Sequence, residues 1–215
     1  HRDSSAASDV YKRQIINDMK KEKKGEIRII GGKWKGKKIY FDLNDDLRPT
    51  PDRAKETLFN WLGQDLKKMY CLDLFSGTGA LGFEAFSRGA EKVTFVERNK
   101  EYLQKIKNVY LEMSEKADCD FFCAECLEWI QNNNSGTKYD LIFIDPPFNK
   151  NLVHDLLAAI LEKELLSKNG QIYFEFEKKL DLEIPESLNL KKKKSLGKKS
   201  YCLLYTSDAA DESLC

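Results

Sequence analysis

No stretch of this chain comes near the roughly 18 continuous apolar residues of a membrane span, and no segment reads as a signal peptide. Histidine is scarce, with two in 215 residues. His1 opens the chain and His154 sits in an amphipathic stretch without metal-ligand companions, so no metal site is indicated. Cysteine is sparse too, with six. Two of these, Cys202 and Cys215, lie near the C-terminus, and the rest fit reduced thiols better than a disulfide framework. A dominant charge is also missing. Lys and Arg number 36 against 35 Asp and Glu, a net +1, so global charge announces no polyanion partner. No internal repeat is visible.

What is present suffices for a core: 41% of residues are hydrophobic and 33% charged, in a chain the size of one domain or one domain with a small appendage. The two ends are set aside. Asp9-Val-Tyr-Lys-Arg-Gln14 can be encoded GAT GTG TAT AAG AGA CAG, whose reverse complement, read one frame over, gives Cys202-Leu-Leu-Tyr-Thr-Ser207. Complementary strands of one oligonucleotide at both ends resemble adaptor read-through, so 1–14 and 202–215 are expected to be non-native flanks. Between them, 15–47 reads as a basic N-terminal extension, dense in Lys and Arg from Lys20 to Lys38, and 48–201 as the main domain.

Glu26–Ile30 and Lys37–Phe41 read as short strands joined around Gly31-Gly32, a hairpin signal. Thr50-Pro51 predicts a helix start, with Thr50 as N-cap, and Ala54, Leu58, Trp61 and Leu62 give that helix an apolar face. Strands are expected at Tyr70–Phe75, Lys92–Val96, Asp120–Cys123, Leu141–Ile144 and Ile172–Phe176. Helices are expected between them at about Ala80–Arg88, Lys100–Ser114, Leu127–Gln131 and Leu152–Leu166. Leu188–Lys194 and Ser200 onward predict a closing strand pair around Gly197. The alternation predicts an α/β fold: a mostly parallel sheet with helices on both faces, plus a small N-terminal β-hairpin.

In such a sheet ligands bind at the carboxyl ends of the strands. Asp73-Leu-Phe-Ser-Gly77-Thr-Gly79-Ala-Leu-Gly82 is a strand-to-helix turn whose glycines let a nucleoside cofactor approach the backbone. The same glycine spacing also spells a dinucleotide fingerprint. Asp73 argues against that reading, because its charge would oppose a pyrophosphate but suits a sulfonium amino acid, S-adenosylmethionine. Glu97 closes the next strand, where a carboxylate can accept both ribose hydroxyls. Glu125 and Cys126 follow the third, where an adenine edge would lie; Phe75 and Arg98 complete the expected cofactor set. Asp145-Pro146-Pro147-Phe148 closes the fourth strand with a carboxylate, prolyl carbonyls and an aromatic face suited to a planar amino-bearing base. Asp145, Pro146 and Phe148 are the expected catalytic residues.

Together with Arg28-Ile-Ile-Gly-Gly-Lys-Trp-Lys-Gly-Lys-Lys38, Arg48-Pro-Thr-Pro-Asp-Arg53, Leu58-Phe-Asn-Trp-Leu62 and Phe95-Val-Glu-Arg-Asn99, these motifs resemble the RsmD-type enzymes that methylate guanine N2 in bacterial 16S ribosomal RNA. The resemblance covers most of the chain and implies a Rossmann-like class I methyltransferase using S-adenosylmethionine. It further implies a monomeric, cytoplasmic protein whose partner is small-subunit ribosomal RNA, free or in an assembled or assembling 30S subunit, with no membrane role. One departure is Glu125-Cys126, where the family carries Asp-Ala.

Arg28, Lys33, Lys35, Lys37 and Lys38 are expected to contact phosphates, with Trp34 available to stack, and Arg48 and Arg53 to hold backbone near the base. Three alternatives stay open: adenine-N6 methylation of DNA or RNA, a catalytically inactive RNA-binding module, and, more distantly, a nicotinamide oxidoreductase. Cys119-x3-Cys123-x2-Cys126 has the spacing of a radical iron–sulfur motif, but Phe121 and Phe122 place it on a buried strand, where three thiolates cannot converge. The cysteines are expected to be core thiols.

Overall fold

The computed structural model describes residues 24–42, 50–113, 118–146, 152–179 and 183–206. The first described element is an antiparallel hairpin of β1 (Lys24–Arg28) and β2 (Lys38–Asp42), in which Ile27 pairs with Ile39. Alternation sends Ile27, Ile29, Ile39 and Phe41 inward, while Arg28, Lys38 and Tyr40 face out. The inward set joins the same apolar cluster as Leu58, Phe59 and Phe143, so the hairpin shares the main core. Each such side chain contributes about 1.5–3 kcal/mol relative to exposure.

Among the described residues, five helices and seven further strands follow: α1 (Asp52–Leu62), β3 (Tyr70–Asp73), α2 (Ala80–Ser87), β4 (Lys92–Val96), α3 (Lys100–Met113), β5 (Asp118–Phe122), α4 (Cys126–Asn132), β6 (Tyr139–Ile144), α5 (Leu152–Glu162), β7 (Leu166–Glu177), β8 (Leu188–Leu196) and β9 (Lys199–Thr206). The strands form one sheet in the order β5-β4-β3-β6-β7-β9-β8. β3 pairs in parallel with both β4 and β6, and β9 pairs antiparallel with both β7 and β8. The chain therefore moves outward from β3 to β5, then crosses back to lay β6 on the other side of β3. That reversal is the switch point where such sheets bind ligands.

β6 shows why the sheet is covered twice. Leu141 and Phe143 enter one cluster, with Leu58 of α1, Phe83 of α2 and Ile106 of α3. Ile142 and Ile144 enter the other, with Ile130 of α4 and Leu156 and Ile160 of α5. A strand buried on both faces must be apolar throughout, as Leu141-Ile-Phe-Ile144 is.

Three expectations are corrected. The helix predicted to reach Leu166 stops at Glu162, and Leu166 already belongs to β7. Glu164 takes a left-handed φ of 48°, and the Leu165 N–H donates back to the Ile160 carbonyl, which closes the helix without the usual glycine signal. Thr50 is not a helix cap: Pro51 occupies that position, in extended conformation and with no side-chain cap. The third correction concerns β5, which is a sheet edge with Phe122 41% exposed rather than a buried strand. The division placed after Tyr201 falls inside β9. Cys202, Leu203 and Leu204 are buried there and pair with β7.

Candidate active site

The carboxyl ends of β3, β4 and β6 bring together most of the side chains expected to do chemistry. Asp73 ends β3 and is buried, its Oδ2 accepting the Gly82 N–H of α2 at 3.0 Å. Burial pushes this carboxyl up to about 7; the Gly82 bond acts downward, and the charges of Asp145 and Glu97 act upward. Between them lies the turn, with Gly77 at φ 50° and Gly79 at φ 76°, left-handed conformations that favour glycine. Ser76 pins the turn by donating its hydroxyl to the carbonyls of Asp73 and Val96 at 2.9 and 3.1 Å. Phe75, in the same turn, is partly buried against the cluster that holds Leu72 and Ile142.

Glu97 follows β4 and is fixed at both oxygens. Oε2 accepts the Gly77 N–H and Oε1 the Asn99 N–H, each at 2.8 Å. The carboxylate thus ties β4 to the glycine turn, and each oxygen keeps a second lone pair for an incoming hydroxyl. Arg98 and Glu125 are both exposed and face each other at 3.5 Å. Cys126 is buried and donates its thiol to the Leu74 carbonyl, an arrangement that ties α4 to the end of β3. Acceptors at Asp73 and Glu97, around a turn without side chains, suit a cofactor with ammonium and ribose hydroxyl donors. They suit a pyrophosphate poorly.

Asp145 follows β6, with 17% of its side chain exposed. Lys199 of β9 donates to Asp145 Oδ1 at 3.0 Å and to Glu175 Oε2 at 2.8 Å. The Thr50 hydroxyl lies 3.5 Å from Asp145 Oδ2. Glu175 is wholly buried, and the Tyr173 hydroxyl donates to its Oε1 at 3.0 Å. Burial pushes Glu175 up to about 7, reinforced by Asp145 and opposed by Lys199. Burial works against the Lys199 ammonium, yet the two carboxylates hold its pKa well above the ordinary lysine value. Pro146 is partly buried beside this network. Phe148 and Arg48 lie outside the described residues.

Sequence reasoning missed Thr50, Lys199, Glu175 and Tyr173. Glu175 carried a usable signal: a single acid within Ile172-Tyr-Phe-Glu-Phe176 must find a partner if the strand is buried. Lys199 carried none, being one lysine in a lysine-rich segment.

The hairpin residues are placed elsewhere. Its turn packs on the C-terminal end of α2, where the Lys33 N–H donates to the Ser87 carbonyl and the Trp34 N–H to the Ser87 hydroxyl. A Cβ on Gly32 would lie 1.8 Å from the Ser87 carbonyl oxygen, so only glycine fits. Trp34, expected to be available to a base, stacks on Phe86 with centroids 4.6 Å apart and Lys33 over its ring at 5.0 Å. These residues border an open depression of about 710 Å³ whose other walls include Tyr70, Lys92 and Asp118, at the amino ends of β3, β4 and β5. The turn therefore sits at the end of the sheet opposite Asp145. Arg28 pairs with Asp52 at 3.3 Å, Lys37 with Glu112 at 3.7 Å and Lys38 with Glu26 at 3.1 Å. Lys35 is exposed in the turn, and Arg53 is exposed on the first turn of α1.

A buried network fastens this hairpin. Glu84 accepts the Ile30 N–H at 2.8 Å and pairs with Arg88 at 2.8 Å, both side chains at most 4% exposed. Arg88 also lies over the Phe59 ring of α1 at 4.5 Å. The cysteines do not behave alike. Cys126 is buried, Cys119 half-buried, and Cys123 exposed, which corrects the expectation of three core thiols.

The family model described as conserved hypothetical protein 95 matches residues 27–205. The protein named ribosomal RNA small subunit methyltransferase D from Haemophilus influenzae is 40% identical over 181 residues, which is 84% of this chain and 94% of that protein. Its namesake from Escherichia coli K12 is 36% identical over 191 residues, 88% of this chain and 94% of the relative. A crystal structure of a methylase from Haemophilus influenzae superimposes with a TM-score of 0.73 at 37% identity, covering 85% of this chain and 99% of that one.

Proposed function

The chain belongs to the family described as conserved hypothetical protein 95, and from that premise we propose that it is an S-adenosylmethionine-dependent methyltransferase acting on the exocyclic N2 of a guanine in small-subunit ribosomal RNA. The observation that carries this reading is Asp145, held by Lys199 at the end of β6 and beside the strand end that bears Asp73. Relatives named for small-subunit ribosomal RNA methylation, matched over nearly their whole length, support the substrate class.

When bound, the cofactor supplies a sulfonium methyl that is already electrophilic. The protein's task is to align a poor nucleophile with it. Lys199 occupies Oδ1 of Asp145, which leaves Oδ2, beside the Thr50 hydroxyl, to accept an N–H of the guanine amine. The Pro146 carbonyl offers a second acceptor. Two such bonds favour a pyramidal nitrogen whose lone pair is withdrawn from the ring. Reaching this slot requires the base to leave its stack. Asp73 and Glu97 hold the cofactor's donors, and the turn at Gly77 and Gly79 admits it to the backbone. We place the enzyme in the cytoplasm, as a monomer working on small-subunit RNA, free or within an assembled or assembling 30S subunit.

The test is product analysis. Small-subunit RNA from a strain lacking the activity is incubated with methyl-labelled cofactor and digested to nucleosides. Label in N2-methylguanosine is expected. Label in N6-methyladenosine would replace this reading with the adenine one. No label, with no cofactor binding by calorimetry, would leave an RNA-binding module.

A further inference from the structure

We propose that the exposed edge strand β8, together with Arg53 of α1, is the track that holds the phosphates of the RNA strand flanking the target nucleotide. The inference rests on the RNA-methylation reading above. It moves substrate docking away from the hairpin turn, to the surface beside Asp145.

Neutralisation is the first reason. Lys192, Lys193, Lys194 and Lys198 are exposed, and among the described residues none of them pairs with a carboxylate. Lys194 reaches only the Thr57 hydroxyl of α1 at 3.2 Å, and Lys193 lies over the Phe176 ring at 5.6 Å. The hairpin cations Arg28, Lys37 and Lys38 instead carry carboxylate partners within the protein. A polyanion gains most where cations are not already matched.

Position is the second reason. β8 runs antiparallel to β9, with Leu196 paired to Lys199 and Lys194 to Tyr201. Lys199 in turn binds Asp145, so the lysine-bearing half of β8 ends where the target base is held. α1 closes the same corner, because Thr50, just before it, faces Asp145 while Thr57 receives Lys194. Arg53 lies exposed on the helix between them. The hairpin turn sits at the opposite end of the sheet, on Ser87 and Phe86. Strand alternation adds a third reason: Lys194 leans toward α1 and Lys193 toward Phe176, so positive charge straddles both sides of the edge.

Lysines on an edge strand also deter strand-to-strand pairing between molecules, and the experiment separates that role from RNA docking. Three variants of the whole chain are compared with the wild type: Lys192, Lys193, Lys194 and Lys198 each to Gln, the same four each to Arg, and Lys33, Lys35, Lys37 and Lys38 each to Ala. The probes are unmethylated small-subunit RNA, free and as 30S particles from a strain lacking the activity, titrated across salt concentrations, with KM for RNA and calorimetric cofactor affinity measured alongside. For the edge-strand variant the slope of log affinity against log salt should fall by roughly 2–3, since each lost contact removes about 0.7 of a released counterion on a single strand. Its KM for RNA should rise at least tenfold, cofactor affinity should hold, and replacing the same lysines with Arg should keep the wild-type slope. The hairpin variant should change the slope by less than one.

If the wild type methylates the RNA but the edge-strand variant keeps its slope and KM, the track is overturned and the function stands. Edge-strand variants that dimerise on a sizing column while binding RNA normally would equally overturn it, in favour of edge protection. If the wild type neither binds nor methylates the RNA in either form, the functional reading falls and the track falls with it.

Discussion

Lys199 binds Asp145 across 54 residues of sequence, its ammonium 3.0 Å from Oδ1. The same ammonium serves Glu175 at 2.8 Å, so one cation from β9 separates two carboxylates that would otherwise face each other. Replacing Lys199 with Met should cost catalysis more than cofactor binding. With the cation gone, Glu175 loses the charge that opposes its burial-driven upward shift and should stay protonated to higher pH. The rate should fall at least tenfold at pH 7, because Asp145 loses the donor that orients it, and the pH–rate profile should shift upward with Glu175. A profile that keeps its shape would show that Lys199 serves stability alone.

Asp145→Asn should leave calorimetric cofactor affinity close to normal and lower turnover by ~100-fold or more, the range expected for a positioned group of this kind. Asn keeps one acceptor but loses the charge that Lys199 addresses and that the proposed guanine amine would address. Near-normal single-turnover rates would remove Asp145 from the mechanism.

Two buried carboxyls tie stability to pH. Asp73 and Glu175 are each pushed up to about 7 from ordinary carboxylate values by burial. A folded-state pKa above the unfolded one contributes stability that is complete below the unfolded value and lost as pH rises through the folded one. Between about pH 4.5 and pH 8 the wild type should therefore lose stability relative to Glu175→Gln and to Asp73→Asn, by on the order of 3 kcal/mol for each group. Urea denaturation at four pH values would measure it, and parallel wild-type and variant curves would contradict it.

The hairpin should be inseparable from the domain. Glu84→Gln leaves Arg88 buried without its carboxylate and weakens the acceptor for the Ile30 N–H. Breaking a buried pair from one side costs about 3–5 kcal/mol. A single, earlier denaturation transition is expected; an unchanged main transition with only local loss at the hairpin would mean it docks independently.

Replacing Cys119, Cys123 and Cys126 together with Ala should lower stability and spare activity. Most of the loss should come from Cys126, whose thiol is buried against the Leu74 carbonyl. Cys123→Ala alone should be neutral, since that side chain is exposed. Iron-dependent, oxygen-sensitive activity in the wild type would instead demand the radical chemistry that the spacing permits.

By itself the sequence determined the α/β framework and the carboxyl-end site. Those depend on local physics: an apolar Leu141-Ile-Phe-Ile144 run can only be a strand covered on both faces, and glycines at 77 and 79 can take left-handed angles that other residues resist. Carboxylates placed directly after such strands, at Asp73, Glu97 and Asp145, are carried to one edge by the alternation alone. Tertiary structure decided what those carboxylates touch. Thr50 could be read as a helix cap or as a contact of Asp145, and only the packing of α1 against β6 chose between them. Lys199 was one lysine among many until antiparallel pairing of β9 with β7 set it beside Glu175 and Asp145. The basic residues divide in the same way. Composition gives their number, but whether a lysine meets Glu112, as Lys37 does, or stands on a sheet edge without a carboxylate partner among the described residues, as Lys192 does, depends on distances between segments far apart in the chain. Charge is written in the residue and its partner in the fold, because Coulomb energy falls with separation and only the folded chain sets the separation.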